Sequence, residues 1–234
     1  MRFFKNLFFL INQMIFSPKC ILCLSACHSE EICDACIKYL PWIKHGCQRC
    51  AIPLVSTHAP YCGSCIKNPP AFEKSFIAMH YISPIDHMIH LFKFKRKLQY
   101  APILAKLILL QLNKEKINID AIIPIPLHPK KLAKRGFNQS YILAKIISKK
   151  TGIPIDDQAL KRKKLTQPQY ALKKPERLKN LKGAFECDVS PKNVLLIDDV
   201  VTTTATAQSA ALCLKHSGAE KIYIGAISRA DISK

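Results

Sequence analysis

Acidic residues are the scarce component of this chain. Asp and Glu number 16 against 36 Lys and Arg, a formal net charge of +20 over 234 residues. So one-sided a charge excludes an electrically neutral surface and selects polyanionic partners: nucleic acid, phosphorylated substrates or anionic lipid. A membrane-crossing run is missing too. The apolar stretch that opens the chain, Phe3 to Ile11, is broken by Asn12-Gln13, well short of the roughly 20 apolar residues a spanning helix needs. No small-residue cleavage site follows it, and Pro18-Lys19 before Cys20 does not fit a lipoprotein cleavage box. With no good export signal, a secreted disulfide framework is excluded and a reduced, cytoplasmic setting is expected. Within residues 1–18, Phe3, Phe4, Leu7, Phe8, Ile11, Met14 and Ile15 recur at helical spacing. They predict an amphipathic helix that packs on the rest of the protein or makes weak peripheral contact with a membrane.

Cysteine, by contrast, is concentrated. Nine of the 11 lie between Cys20 and Cys65, eight of them in four Cys-x-x-Cys knuckles: Cys20/Cys23, Cys33/Cys36, Cys47/Cys50 and Cys62/Cys65. Two intervening residues let both sulfurs reach one tetrahedral ion, and a second knuckle closes the site. Sequential and interleaved pairings are both open on spacing alone, and two four-cysteine structural zinc sites bound in chain order are the simplest assignment. Eight thiolates and two Zn²⁺ would lower the net charge only to about +16. A module of residues 19–68 is too small for a core of its own, so metal would supply most of its folding energy. Closed four-thiolate sites have no open coordination position. A docking surface or a nucleic-acid contact is therefore expected here, and no catalysis.

The chemistry is expected near the C-terminus. Val194 to Ile197 is a short apolar run, read as a strand buried on both faces, and it leads into Asp198 and Asp199. Four threonines then fall within five positions, Thr202, Thr203, Thr204 and Thr206, before a helix predicted over Ala205–His216 and capped at Ser217-Gly218. A strand end carrying two carboxylates, then hydroxyls at a helix N-terminus, suits a phosphorylated sugar: the acids accept from ribose hydroxyls and the loop wraps a phosphate.

Upstream, residues 69–234 alternate strands with helices, as a parallel sheet with helices on both faces requires. Strands are predicted at Ser75–Ile82, Asp120–Pro126 and Lys221–Ile227, and helices at Pro84–Lys97, Tyr100–Leu112 and about Asn138–Lys150. Leu127 to Ser140 carries four cations in six positions and is read as a basic loop placed to grip pyrophosphate. Residues 161–182 hold nine Lys or Arg and one acid, a segment able to close over a polyphosphate or follow a nucleic-acid backbone.

Several of these parts, in this order, resemble one family. Leu40-Pro-Trp42 between the second and third knuckles, Pro124-Ile-Pro-Leu127, Arg135-Gly-Phe-Asn-Gln139, Thr166-Gln-Pro-Gln169, Leu172, Arg177, Asn180, Gly183-Ala-Phe185 and the Asp198-Asp199 loop are similar to ComF/GntX-type proteins. The loop itself resembles the phosphoribosyl-pyrophosphate (PRPP) loop of type I phosphoribosyltransferases. The resemblance implies a double zinc-ribbon module joined to a type I phosphoribosyltransferase-like α/β domain, and a role in natural competence, the uptake of transforming DNA. GntX-type relatives are associated with carbon-source use. Carried over by position, Asp198 and Asp199 would be the catalytic acids, holding the ribose hydroxyls. Thr202, Thr203, Thr204, Ala205 and Thr206 would surround the 5-phosphate, with Lys131 and Arg135 near the pyrophosphate and its Mg²⁺. Such catalysis works by positioning and charge stabilisation, with no protein nucleophile. Single-stranded DNA and a competence helicase are the implied macromolecular partners. One position departs from the pattern: Thr204 stands where the loop has glycine. If the backbone there needs φ > 0, threonine is strained by about 1–3 kcal/mol. The alternative reading is therefore a non-catalytic, zinc-containing adaptor that keeps the fold and binds single-stranded DNA.

Overall fold

A computed structural model describes residues 19–27, 32–56, 58–164, 183–188 and 191–230. The amphipathic helix expected within 1–18, most of the basic segment 161–182, and the Thr166–Gln169, Leu172, Arg177 and Asn180 positions lie outside the described residues. The chain forms two compact units, Met1–Leu40 and Pro41–Lys234. The second pair of cysteine knuckles falls in the unit that carries the sheet.

In chain order the elements are α1 (Asp34–Lys38), α2 (Gly63–Lys67), β1 (Lys74–His80), α3 (Ile85–Phe94), a 3-10 turn (Leu98–Tyr100), α4 (Ala101–Leu112), β2 (Ala121–Pro124), α5 (Pro129–Arg135), α6 (Gln139–Thr151), β3 (Lys161–Arg162), β4 (Phe185–Glu186), β5 (Asn193–Val201), α7 (Ala205–His216) and β6 (Lys221–Arg229). Four of the strands form one parallel sheet in the order β1-β6-β5-β2, and β3 pairs antiparallel with β4. β5 is internal, and Val194, Leu195, Leu196 and Ile197 are all 0% exposed. That explains the apolar run: a strand covered on both faces has no solvent side to alternate with. On one face Val194 and Leu196 meet Ala210, Ala211 and Leu214 of α7. On the other, α4 packs on β1 and β6, and α6 on β2 and β5.

Two elements differ from the sequence expectation. β5 does not stop at Ile197; it pairs with β6 through Asp198 and Val201, so both acids stand on the strand. Partners on neighbouring elements, described below, make that burial tolerable. The basic stretch after Pro126 is not a loop but contains the helix α5. His128 caps it by accepting from the Lys130 N–H at 3.2 Å, Pro129 supplies the first turn, and Gly136 ends it at φ 86°.

Gly225 in β6 leaves no room for a side chain between the sheet and α4. A Cβ there would lie 2.7 Å from Ile197 Cδ1 and 3.2 Å from Ile108 Cγ2. Gly225→Val is expected to cost about 1–3 kcal/mol by overpacking, read by urea unfolding. An unchanged midpoint would mean that these two isoleucines yield without cost.

Candidate functional site

The cysteines come together as two sequential tetrads, Cys20/Cys23/Cys33/Cys36 and Cys47/Cys50/Cys62/Cys65, each with its four sulfurs within 4.8 Å of one another. Cys23 Sγ lies 3.7 Å from Cys33 Sγ, and Cys50 Sγ lies 3.7 Å from Cys62 Sγ. Those separations are far too long for a disulfide. They match the edge of a tetrahedron with Zn–S bonds of about 2.3 Å, which is about 3.8 Å. The residues turning out of the first knuckle of each tetrad, Leu24 and Ala51, sit at φ 63° and 56°, a tight exit from the knuckle. Burial pushes the Cys50 thiol up to about 11, and burial with the charge of Cys50 pushes Cys65 upward. Thiols packed this closely resist ionising together, and a divalent soft cation removes that cost. Both donor sets fit a closed structural zinc site.

A cleft of about 870 Å³ opens at the carboxyl end of the sheet, within Pro41–Lys234. Asp198 and Asp199 form its floor. Asp199, 6% exposed, accepts an ion pair from Lys93 Nζ of α3 at 2.6 Å and a hydrogen bond from the Val200 N–H at 2.8 Å. Asp198 accepts from Ser140 Oγ of α6 at 3.3 Å and from the Asp199 N–H at 2.8 Å. Burial, and then the negative charge of Asp199, push Asp198 up to about 7, with Lys93 and Arg162 acting the other way. Asp198 thus titrates close to neutrality, and a cation or a hydroxyl donor arriving there favours its ionised form.

The loop after β5 turns on Thr204, at φ 64° and ψ −4°, the left-handed conformation that favours glycine. Its hydroxyl donates to the Thr203 carbonyl at 2.5 Å, while its own carbonyl accepts from the Gln208 N–H at 2.8 Å to start α7. The backbone therefore has the geometry for which the glycine pattern exists, with a β-branched residue held in it at a cost of about 1–3 kcal/mol. Thr202, Thr204 and Thr206 line the cleft; Thr203 and Ala205 do not.

Lys131 and Arg135 line the same cleft from α5. Four cations not expected at the site, Lys93, Arg96, Lys134 and Arg162, bring the total to six around two carboxylates, and Ser140, Gln139, Tyr81 and Phe94 fill the walls. Arg135 donates to Gln139 Oε1 at 2.8 Å and lies 5.4 Å over the Phe94 ring, so it is held rather than waving in solvent. Burial, then Arg162, Arg135 and Lys93, lower the pKa of Lys131. Crowded cations of this kind gain most from a ligand that brings several negative charges. Arg96, itself at φ 54°, passes so near Gly136 that a Cβ there would lie 2.8 Å from its guanidinium nitrogen.

A double zinc ribbon domain model matches residues 11–66. The chain is 33% identical over 227 residues to competence protein F of Haemophilus influenzae, covering 92% of this chain and 98% of that protein. It is 31% identical over 205 residues to DNA utilization protein YhgH of Escherichia coli K12, 85% of this chain and 90% of the relative. Competence protein ComFC of Bacillus subtilis is 34% identical over 104 residues, 42% of this chain and 39% of that protein. Adenine phosphoribosyltransferase from Leishmania tarentolae overlaps 56% of this chain and 58% of its own, with a TM-score of 0.34 at 17% identity, too slight to bear on function. In this chain a cysteine-rich double zinc ribbon precedes a parallel α/β sheet. The chain belongs to the ComF family. Among the described residues no helix is long and apolar enough to cross a membrane.

Two measurements follow from this geometry. Thr204→Gly is expected to gain up to about 1 kcal/mol in chemical denaturation, the released strain exceeding the flexibility added to the unfolded chain. A loss would show that the threonine hydroxyl contributes more than its backbone costs. Because the folded pKa of Asp198 is raised, its stabilising share is complete below the usual carboxylate pKa and is lost as pH rises through about 7. Asp198→Asn is therefore expected to be more stable than the parent at about pH 8, the gap closing towards about pH 4. Parallel stability curves would contradict the burial argument.

Proposed function

We propose that the cleft binds PRPP or a close relative, and that the protein is a phosphoribosyltransferase-like member of its family acting in natural competence. The observation that carries this reading is the pairing of two strand-end carboxylates with a left-handed threonine loop at the start of α7. Asp198 and Asp199 would receive the ribose 2- and 3-hydroxyls, and Thr202, Thr204 and Thr206 with the α7 N-terminus would hold the 5-phosphate. Lys131, Arg135 and their neighbours would take the pyrophosphate. Mg²⁺ would arrive with that pyrophosphate, since two carboxylates are the oxygen ligands it accepts. The names of the relatives, competence protein F and DNA utilization protein, support a role in competence and the handling of incoming DNA. Reduced thiols in both tetrads suit a cytoplasmic setting. The first tetrad's unit is assigned as a contact for DNA or for a helicase partner.

A second reading has its own observation. Lys93 already neutralises Asp199, and Thr204 strains the loop, so the same cleft and charge would serve an adaptor that binds single-stranded DNA without transferring a phosphoribosyl group. Both readings are tested on one sample, titrated with PRPP and Mg²⁺ by calorimetry and with an oligonucleotide across salt. PRPP binding that falls at least about tenfold in Asp199→Asn and Asp198→Asn is the expected result. Binding unchanged in both variants would remove the ribose contact. DNA affinity that collapses with salt, beside no PRPP binding at all, would select the adaptor.

A further inference from the structure

The second cysteine tetrad is built into the sheet that carries the cleft. Trp42 forms an antiparallel bridge with Met79 of β1, the Ile43 N–H donates to the Ala78 carbonyl at 2.8 Å, and the His80 N–H to Pro41 at 2.8 Å. The knuckle itself presents three successive carbonyls to the strands. Gln48 O accepts from the Ser75 N–H at 3.3 Å, Arg49 O from Ser75 Oγ at 2.5 Å, and Cys50 O from Arg229 Nε at 2.9 Å.

Arg229 is the notable member. It ends β6, is 5% exposed, and pairs across the sheet with Val201, the last residue of β5. Its Nη1 donates to the Val201 carbonyl at 3.1 Å and to the Ala230 carbonyl at 3.2 Å, and the Ala230 N–H donates to the same Val201 oxygen at 2.9 Å. One buried guanidinium thus holds the carbonyl of a metal-ligating residue with one nitrogen and the root of the threonine loop with another. A planar guanidinium fixes the angle between two such acceptors, which a lysine ammonium cannot do. An apolar link runs parallel to it: Ala51, the residue after Cys50, belongs to the same buried cluster as Val201, Ala205 and Ala207.

We infer that Arg229 is a positioning residue that couples the second zinc site to the anion-binding loop, so that a filled Cys47/Cys50/Cys62/Cys65 site holds the 201–207 backbone in its binding geometry. Metal fixes the knuckle through Cys47 and Cys50. The fixed Cys50 carbonyl orients the guanidinium, and the guanidinium fixes Val201, from which the loop departs. Without metal, the Cys50 carbonyl would be less fixed and that chain of contacts would relax. The zinc ribbon then has a local task in the cleft besides any contact with partners. The identity of the loop's ligand as PRPP rests on the reading given above, whereas the coupling itself concerns backbone mobility.

Hydrogen exchange followed by mass spectrometry on the full chain separates the two. Arg229→Met, with two zinc ions per chain retained by elemental analysis, is expected to raise amide exchange over residues 201–207 by roughly tenfold or more, with β2 still protected. Cys62→Ser/Cys65→Ser, which empties the second tetrad, should raise exchange over the same residues, and Arg229→Lys should fall between parent and Met. Emission from Trp42, the single tryptophan, reports loosening of the ribbon on β1. If Arg229→Met fails to fold, a chelator titration of the parent decides: exchange over 201–207 must rise together with that over 47–65. Protection of 201–207 that persists after zinc is lost from the second tetrad overturns the coupling. PRPP calorimetry on the same samples is read separately: no binding by the parent, beside zinc-dependent exchange, leaves the coupling standing and removes only the PRPP reading.

Discussion

Burial of β5 on both faces of the parallel sheet is the constraint on which the rest depends. A strand with Val194 to Ile197 fully enclosed cannot slip in register without exposing or misplacing all four side chains. The fixed register puts Asp198 and Asp199 at the carboxyl end, opposite Ala226 and near Arg229. Two adjacent carboxylates at such a place are expensive. Lys93, Ser140 and the strand's own N–H groups offset that cost, and each of these comes from an element the sheet has already positioned. The acid pair is thus a consequence of the sheet's packing as much as of its own sequence.

Features set by local pattern were legible beforehand: knuckle spacing, the apolar run of β5 and the helix ending at Ser217-Gly218; φ > 0 at position 204 was only a condition raised by the resemblance to a loop with glycine there. Features set by the meeting of distant segments were not legible. Lys93, Arg96 and Arg162 belong to α3, the turn after it and β3, and nothing near them in sequence marks them as neighbours of Asp198. The extension of β5 through its acids breaks the usual apolar rule and is intelligible only once Lys93 is seen beside Asp199. The helix α5 is a different case. Its signals, Pro129 at the first turn and Gly136 at the end, were present but were outweighed by four cations that read as an exposed loop.

The division of the cysteine-rich region has the same origin. Eight cysteines with regular spacing read as one module, yet the second tetrad shares a compact unit with the sheet. A knuckle leaves carbonyls unpaired, and an edge strand leaves N–H groups unpaired; β1 and residues 41–50 satisfy one another. Asn68-Pro-Pro70, where the two expected domains would meet, leads straight into Ala71, whose N–H is held by Gln208 Oε1 of α7 at 2.8 Å. The ribbon closes the open edge of a four-stranded sheet, a stabilising role that any function in partner binding is added to.

Charge sets the kind of ligand the cleft suits. Six cations against two carboxylates, one of them titrating close to neutrality, leave an excess of at least four positive charges in one concavity. A single phosphate, with a charge of about −2, would leave much of that repulsion in place. A sugar carrying a phosphate and a pyrophosphate, or several consecutive nucleotides, would neutralise it. On the proposed PRPP reading, Asp198 and Asp199 would discriminate between these. A hydroxyl-bearing sugar can replace Lys93 on Asp199 and release that ammonium to the phosphates, whereas a deoxyribose backbone offers no 2-hydroxyl for the exchange. On that reading the Lys93–Asp199 pair would be the point at which the two ligand classes diverge, its opening being a step that only the hydroxylated sugar would make favourable.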